Sequence, residues 1–312
     1  MTFNEWALKW LQIEKDYIKE SSFANYNTIT INYLIPRFYG IQLDDITEDI
    51  LQDAIIYWLH HGKLYQDCGL SEKTVKDIVM VFKKCYRKAI KNRVVSNRTF
   101  DVIFPKNNDI KKLAVLTKEN QRRLTQAVYL DLTSKSMGIL LTLATGLRIG
   151  ELCALQWKDI DLDNRILSVT KTLQRLFIKS IDGKNSTKVI ISTPKTKASI
   201  RDIPLPTAIV PVLRKVKSKN PNDYILTGKS KYLEPRTYRS YFDRFLNRNG
   251  IEHINFHGLR HTFATRLIEA GADCKTVSEL LGHSSVVMTL NLYVHPQLEA
   301  KRQCIEMISE FI

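Results

Sequence analysis

A histidine and an arginine stand three residues apart in the segment HGLRHTFATRLIEAG, residues 257–271. On a helix, His257 and Arg260 share one face. There a guanidinium offers a fork of donors to an oxyanion such as phosphate, and an imidazole can donate or accept a proton. His257 and His261 also have the i, i+4 spacing that can hold a metal ion, but no third ligand follows at a suitable spacing. The segment therefore favours a phosphate-binding site over a metal site.

Arg148 stands between two glycines in the apolar segment ATGLRIGELCAL, residues 144–155. A charged side chain in such a setting is costly to bury unless it is paired or functional. Glu151, three residues later, can supply the pair on a helix. A structural ion pair and a functional arginine are therefore both open interpretations.

Two further segments carry single residues that can take part in proton transfer or nucleophilic attack. Lys195 lies at a turn predicted within STPKTKASIRDIPL, residues 192–205, although a lysine in a turn is most often only solvated. His283 follows Gly282, a residue type that commonly ends helices, and Tyr293 stands ten residues later. Each of these residues is weak evidence by itself, so the order and spacing of all four segments carry the interpretation.

An excess of basic residues indicates a polyanionic partner. The chain of 312 residues has a net charge of +15 and a pI near 9.5. Residues 71–104 hold 9 basic and 3 acidic residues, and residues 171–248 hold 18 and 5, whereas residues 1–70 hold 5 and 10. Two separate basic stretches favour a protein that grips a nucleic-acid duplex from two sides, ahead of one that binds an acidic membrane surface.

The cysteine and hydropathy patterns favour a cytoplasmic setting. The five cysteines are an odd number and include no C-x-x-C pair, which argues against a disulfide framework and a zinc ribbon. The N-terminal segment has no apolar signal region, and the longest apolar run, residues 138–147, is about half the length of a membrane span. We therefore expect a protein of a reducing compartment with no membrane segment.

Apolar spacing predicts helices throughout residues 2–104. They are expected at residues 3–19, from about 22 to 36–40, at 47–60 and at 71–93. On the last helix, an apolar stripe from Val75 to Ala89 lies beside a basic stripe, which consists of Lys84, Arg87, Lys88 and Lys91. Such a helix can dock on its own domain and reach phosphates at once, so these four side chains are expected to bind DNA.

A polar segment that opens with Pro105, residues 105–116, is predicted to link two domains. Beyond it the pattern predicts strands at ILSVT, RLFIK and KVIIST with a turn at Asp182–Gly183, and helices near 117–130, 134–155, 207–217, 235–249, 258–270, 273–282 and 297–310. The predicted fold class is α+β and mainly helical. An all-α DNA-binding domain covers residues 1–104, and a mixed domain with a small antiparallel sheet covers 117–312.

In this order and spacing, the four segments resemble the tyrosine recombinase family, which includes phage integrases, integrases of conjugative transposons and Xer-type resolvases. The resemblance covers the whole chain, with a helical SAM-like core-binding domain before the catalytic domain. It implies six catalytic positions, which are Arg148, Lys195, His257, Arg260, His283 and the nucleophile Tyr293. Lys197 lies close enough to Lys195 to leave the lysine assignment open.

The resemblance also implies a chemistry. Tyr293 would attack the scissile phosphorus and form a 3′-phosphotyrosyl link, and two arginines would stabilise the transition state without metal, cofactor or ATP. The implied partners are double-stranded DNA, a synaptic homotetramer and DNA-bending accessory proteins. The amphipathic segment after Tyr293 can pack on its own domain or on a neighbour.

The function implied by the resemblance is integration and excision of a mobile element by a bacterial or phage-encoded recombinase. Three alternatives stay open: a Xer-type resolvase, a type IB topoisomerase-like enzyme, and a DNA-binding member without catalytic activity. The last is disfavoured because all six catalytic positions are present.

Overall fold

The computed structural model describes residues 1–64, 66–105, 114–180, 185–194, 196–293 and 306. The chain divides into two compact units. The first is Met1–Ile110 with Arg175–Lys188, and the second is Lys111–Gln174 with Val189–Ile312. The sequence did not indicate that residues 175–188 join the first unit. The predicted linker falls largely on residues 106–113, which lie outside the described residues, so its bounds stay a prediction.

The first unit is helical, as predicted. Its helices are α1 Phe3–Lys15, α2 Glu20–Ile29, α3 Ile35–Phe38, α4 Glu48–His61 and α5 Glu72–Lys91. The first predicted helix ends earlier than expected, at Lys15, and a new helix begins at Glu20. A π-helical turn, Thr30–Leu34, joins α2 to α3 directly before Pro36, which has no N–H to donate to the preceding turn.

Side-chain caps start two of these helices where the sequence placed them. The Thr47 hydroxyl accepts a hydrogen bond from the Ile50 N–H at 3.3 Å, and the Ser71 hydroxyl accepts one from the Thr74 N–H at 3.3 Å. Between the helices lies an aromatic core in which the Phe82 ring of α5 is 5.7 Å from Phe3 and 5.3 Å from Phe38. The predicted apolar stripe of α5 is buried in this core.

A two-stranded sheet formed by β3 Thr172–Ile178 and β4 Ser186–Ser192 carries the predicted strands RLFIK and KVIIST. Within the first unit, the backbone N–H of Lys179 donates to the Asn27 side chain at 2.9 Å, and Lys188 forms an ion pair with Glu20 at 3.1 Å. The predicted turn at Asp182–Gly183 lies outside the described residues.

The second unit combines helices with a three-stranded antiparallel sheet. The sheet has the order β1–β2–β5, with β1 Ile160–Asp161, β2 Ile166–Val169 and β5 Arg201–Pro204, and Leu167 pairs with Ile203. Around it lie α6 Lys118–Leu130, α7 Ser134–Thr145, α8 Ile149–Ala154, α9 Val210–Val216, α10 Pro235–Arg248, α11 Phe256–Glu269, α12 Cys274–Leu281 and α13 Val286–Tyr293. The predicted fold class is confirmed.

The single helix predicted over residues 134–155 is wrong, because the chain breaks between α7 and α8. Gly146 ends α7 with a left-handed φ of 65°, and a Cβ at this position would lie 2.5 Å from the Phe263 ring. Arg148 then caps α8 with an extended backbone. The break turns the Arg148 side chain toward the end of α12, as described below.

The predicted helix at 297–310 lies outside the described residues except for Glu306. Among the helices that the structure describes, none has both the length and the apolar character needed to cross a membrane.

Candidate active site

Three arginines converge on the last backbone carbonyls of α12. Arg201 Nε donates to the carbonyl of Leu280 at 2.6 Å, and Arg260 Nη2 donates to that of Leu281 at 2.7 Å. Arg148 Nη2 donates to the carbonyl of Gly282 at 3.1 Å. The end of a helix leaves its carbonyls without intrahelical partners and carries the negative end of the helix dipole, so it holds cations well.

Glycines shape the backbone at the two places where these arginines bind. Gly282 ends α12 with a φ of 64°, as the sequence predicted, and turns its carbonyl toward Arg148. Gly146 offers its carbonyl to Arg260 Nη1 at 2.8 Å. Arg260 therefore bridges the ends of α7 and α12, and its side chain is only 2% exposed.

A buried carboxylate joins two of the arginines. Glu151 is 3% exposed and lies 2.8 Å from Arg148 Nη1 and 3.0 Å from Arg201 Nη2. Burial alone would raise the pKa of this carboxyl, but the hydrogen bonds and charges of Arg201 and Arg148 hold its pKa below the usual range. Glu151 is therefore ionised at neutral pH and carries the negative charge that the buried Arg201 and the half-buried Arg148 need.

Two histidines face this positive cluster. His257 lies in the first turn of α11, and His283 directly follows Gly282, where its Nδ1 lies 2.9 Å from the hydroxyl of Thr289 on α13. Desolvation, followed by the charges of Arg260 and Arg148, lowers the pKa of His257. The same causes lower the pKa of His283 to about 4. Both imidazoles are therefore neutral at pH 7 and able to accept a proton or hydrogen bond.

The structure thus brings together four of the six predicted catalytic residues, which are Arg148, His257, Arg260 and His283. We call these four, with Glu151 and Arg201, the arginine–histidine cluster. Tyr293 is the last residue of α13, a helix that packs against α11 and α12. The Tyr293 side chain and the whole of Lys195 lie outside the described residues, so both assignments stay predictions.

Among the residues that the structure describes, the i, i+4 pair that suggested a metal site gains no third ligand. The rings of His257 and His261 meet edge to face with centroids 4.6 Å apart. Across the described residues, no group of three or more histidine, cysteine or acidic side chains is arranged to hold a metal ion.

The basic stripe of α5 has a different character. Lys84, Arg87 and Lys91 are exposed, and Lys88 is half-buried. The Lys84 ammonium contacts the Tyr26 hydroxyl and lies 4.9 Å from the centre of that ring, and the Lys88 ammonium lies 5.7 Å from the Tyr17 ring. The stripe is open to a partner along one face of the first unit.

Arg201 was missed at the sequence level, although it stands within the segment STPKTKASIRDIPL. A signal for it was present, because side chains alternate along a strand and Arg201 lies on the same side as Ile203. Ile203 is buried at 1% exposure. An arginine on the buried face of a strand requires an acidic partner, and Glu151 was the partner already under consideration for Arg148.

Sequence models of two protein families match this chain. The sequence model of the phage integrase family matches residues 114–299, and that of the phage integrase N-terminal SAM-like domain matches residues 2–59.

Two curated relatives cover most of the chain. A XerC-like tyrosine recombinase of Caldanaerobacter subterraneus subsp. tengcongensis is 28% identical over 99% of this chain and 83% of its own length. The transposase from transposon Tn916 of Enterococcus faecalis is 27% identical over 74% of this chain. The match spans 60% of that transposase, so the relative is longer than the matched region.

Solved structures share the fold. The Tn1549 transposon integrase in complex with transposon right end DNA matches with a TM-score of 0.78 and 23% identity, covering 99% of this chain and 100% of that one. A lambda integrase tetramer bound to a Holliday junction matches with a TM-score of 0.61 and 20% identity, covering 91% of this chain and 78% of that one.

Proposed function

Because the chain belongs to the phage integrase family and is a tyrosine recombinase that cleaves and rejoins DNA, we propose that its active site is the arginine–histidine cluster together with Lys195 and Tyr293. The observation that carries this proposal is the pair of arginines held on adjacent carbonyls at the end of α12. Arg148 and Arg260 bring two fixed positive charges to one place, beside two neutral histidines.

The two arginines suit the phosphate of a DNA strand. Arg148 Nη2 carries two hydrogens, so its bond to the carbonyl of Gly282 leaves the second hydrogen for a phosphate oxygen. The carbonyl contacts fix the guanidinium groups before DNA binds, and fixed charges stabilise a transition state without the cost of reorganisation. In our proposal Arg148 and Arg260 bind the non-bridging oxygens of the scissile phosphate.

The cleavage step transfers the phosphoryl group from DNA to protein. The Tyr293 oxygen forms a bond to phosphorus while the bond to the 5′ oxygen breaks, which leaves a 3′-phosphotyrosyl link. His257 takes the phenol proton, a role that its lowered pKa suits, and Lys195 gives a proton to the leaving 5′ oxygen. His283 hydrogen-bonds the phosphate. The covalent link conserves the energy of the broken bond, so rejoining needs no ATP.

The number of protein chains in the synaptic complex follows from the number of DNA strands that are cut. Two duplexes contain four strands to be cut, and each chain supplies one tyrosine, so we propose a homotetramer in the synaptic complex. The four basic residues of the α5 stripe contact the DNA backbone, and DNA-bending proteins assist assembly. We place the reaction in the cytoplasm, where bacterial and phage DNA substrates reside.

The biological reaction that we propose is integration and excision of a mobile element, in line with the similarity to transposon-encoded proteins. The similarity to a XerC-like recombinase favours one alternative, resolution of chromosome or plasmid multimers. Direct repeats that flank the coding region on a mobile element would support the first reaction, and a housekeeping locus would support the second.

A suicide substrate tests the chemistry. The substrate carries a nick beside the scissile phosphate, so that the cut fragment diffuses away and the covalent protein–DNA adduct accumulates. We expect the adduct in the presence of EDTA, because the arginines supply the charge that a metal would otherwise supply. The Tyr293→Phe protein should bind the same DNA and form no adduct. An adduct on another residue, or loss of the adduct in EDTA, would overturn the proposal.

A further inference from the structure

We propose that Arg201 is a positioning residue for DNA cleavage, which holds Glu151 and, through it, Arg148 in the geometry that receives the phosphate. This inference rests on the proposed active site and assigns a role to one residue of the arginine–histidine cluster. Arg201 is buried, with a side-chain exposure of 6%. It acts through the protein groups that it contacts.

The guanidinium of Arg201 uses all three of its nitrogens on protein groups. Nε donates to the carbonyl of Leu280 at 2.6 Å, and Nη1 donates to that of Ser199 at 3.1 Å. Nη1 and Nη2 donate to the two carboxylate oxygens of Glu151 at 3.2 and 3.0 Å. This bidentate contact fixes the plane of the carboxylate as well as its position.

Each carboxylate oxygen of Glu151 accepts one hydrogen bond from Arg148 and one from Arg201. One of its oxygens accepts from Arg148 Nη1 at 2.8 Å and the other from the Arg148 backbone N–H at 2.9 Å, in addition to the bonds from Arg201. If Arg201 is removed, the buried carboxylate keeps a single charged partner. Its strongest remaining pairing is a bidentate one with Arg148, which would draw the Arg148 guanidinium away from the carbonyl of Gly282 and from the phosphate.

Arg201 also links the segment after Lys195 to the end of α12. The described residues 196–199 form a tight turn, with the hydroxyls of Thr196 and Ser199 2.9 Å apart. This turn lies directly against the end of α12, because a Cβ on Gly282 would be 3.0 Å from the Ala198 carbonyl and 3.1 Å from Arg201 Nη1. Arg201 follows that turn as the first residue of β5. One side chain thus joins three segments that carry proposed catalytic residues.

The experiment measures single-turnover cleavage on preassembled protein–DNA complexes, together with DNA affinity. We expect Arg201→Ala to slow cleavage by roughly 100-fold, since a shift of about 1 Å in a catalytic group can have an effect of that size. Affinity should be unchanged, because the phosphate is assigned to Arg148 and Arg260, and Arg201 acts only through Glu151. Arg201→Lys should restore part of the rate, because its ammonium can re-form one of the hydrogen bonds of the guanidinium.

A double-mutant cycle separates positioning from a general structural defect. If Arg201 acts through Arg148, then Arg201→Ala should have little further effect in an Arg148→Ala background, whereas independent defects would multiply. The matched control is Arg266→Ala, which removes a half-buried arginine that, like Arg201, bonds a carboxylate and a carbonyl. That change should leave the cleavage rate within a few-fold of wild type and combine independently with Arg148→Ala.

Multiplicative effects of Arg201→Ala and Arg148→Ala, or a wild-type cleavage rate in Arg201→Ala, would overturn the inference. If Arg201→Ala does not fold, Glu151→Gln takes its place in the cycle. That variant removes the charge that joins the arginines, and independence from Arg148→Ala would again refute the positioning role. Absence of any adduct with the wild-type protein would instead refute the proposed function, so the two failures are distinguishable.

Discussion

The second unit and the first each present a set of cationic side chains, but the two sets are built differently. In the arginine–histidine cluster, Arg148, Arg201 and Arg260 donate to backbone carbonyls, and two of them share a buried carboxylate. On α5 the basic stripe is mostly exposed, and its contacts are with aromatic side chains such as Tyr26 and Tyr17.

This difference corresponds to two uses of positive charge. A charge that is fixed in a partly buried site interacts strongly with a phosphate, because little water screens it and nothing must reorganise. A charge on an exposed lysine is screened by salt and contributes mainly through release of the counterions of DNA. We therefore expect the cluster to govern the rate of cleavage and the α5 stripe to govern affinity.

The largest expected effect is at Arg260. Arg260→Ala should slow single-turnover cleavage by about 100-fold, or on the order of 3 kcal/mol, because it removes a preorganised charge from the transition state. Target affinity should be nearly unchanged, since the protein still binds many other phosphates of the DNA. Rates on preassembled complexes, measured beside a filter-binding or gel-shift titration, test both parts.

Arg266 provides the control on the same helix. It lies six residues beyond Arg260 and bonds Gln121, Glu269 and the carbonyl of Leu116 at the other side of α11. At about 100° of rotation per residue, six residues place Arg266 about 120° around the helix from Arg260, and these contacts agree with that position. Arg266→Ala should therefore change cleavage little. Equal losses in the two variants would mean that α11 had been destabilised and that the cluster had no special role.

The second prediction concerns affinity. Replacing the four basic residues of the α5 stripe by glutamate, as Lys84→Glu, Arg87→Glu, Lys88→Glu and Lys91→Glu, should weaken binding to any DNA sequence. The slope of log affinity against log salt should become shallower by roughly one unit for each phosphate that the protein no longer neutralises. Affinities measured between low and moderate salt give the slope, and an unchanged slope would place the stripe away from DNA.

The same variant also tests the division between affinity and cleavage. The measurement is its cleavage rate in protein–DNA complexes preassembled at low salt. Because the α5 stripe does not belong to the cluster, its reversal should leave that rate close to wild type. A large loss of rate with intact binding would contradict the division between affinity and cleavage.

Local signals in the sequence located most helices. Thr47, Ser71 and Thr117, at the starts of three predicted helices, each accept a capping bond, and the apolar stripe of α5 is buried. These features depend on neighbours within a few residues, so periodicity and capping preferences predict them. The predicted family is confirmed, because the order of several motifs is specific even where each motif is weak.

Long-range contacts account for what the sequence did not predict. The residue at the break, Gly146, has no room for a side chain because Phe263, on another helix, occupies that space. The contacts of Arg148, Arg201 and Arg260 with successive carbonyls require α12 to end beside three other elements. No local pattern in the sequence predicts that arrangement. The alternation of side chains along β5 did indicate that Arg201 faces inward.

The smallest expected effect is on the pH dependence of stability, and it tests whether burial and the arginines of the cluster keep His283 neutral. In the folded protein, burial and the nearby arginines lower the pKa of His283 to about 4, whereas a histidine in the unfolded chain has a pKa near 6.5. The unfolded chain therefore binds the proton more tightly.

Stability contributed by neutral His283 is thus present above about pH 6.5 and is lost as the pH falls toward 4. Between pH 7 and pH 5 the loss should stay below about 2 kcal/mol, since water partly screens a half-buried ring. His283→Gln removes the titrating group, so thermal or urea unfolding without DNA should show a smaller loss of stability over this range than in wild type. His60→Gln, on α4 of the first unit and outside the set of residues that forms the cluster, is the matched control and should behave as the wild type. If the two variants behaved alike, burial and the neighbouring arginines would not hold His283 neutral, and the contrast between fixed and exposed cations would lose this support.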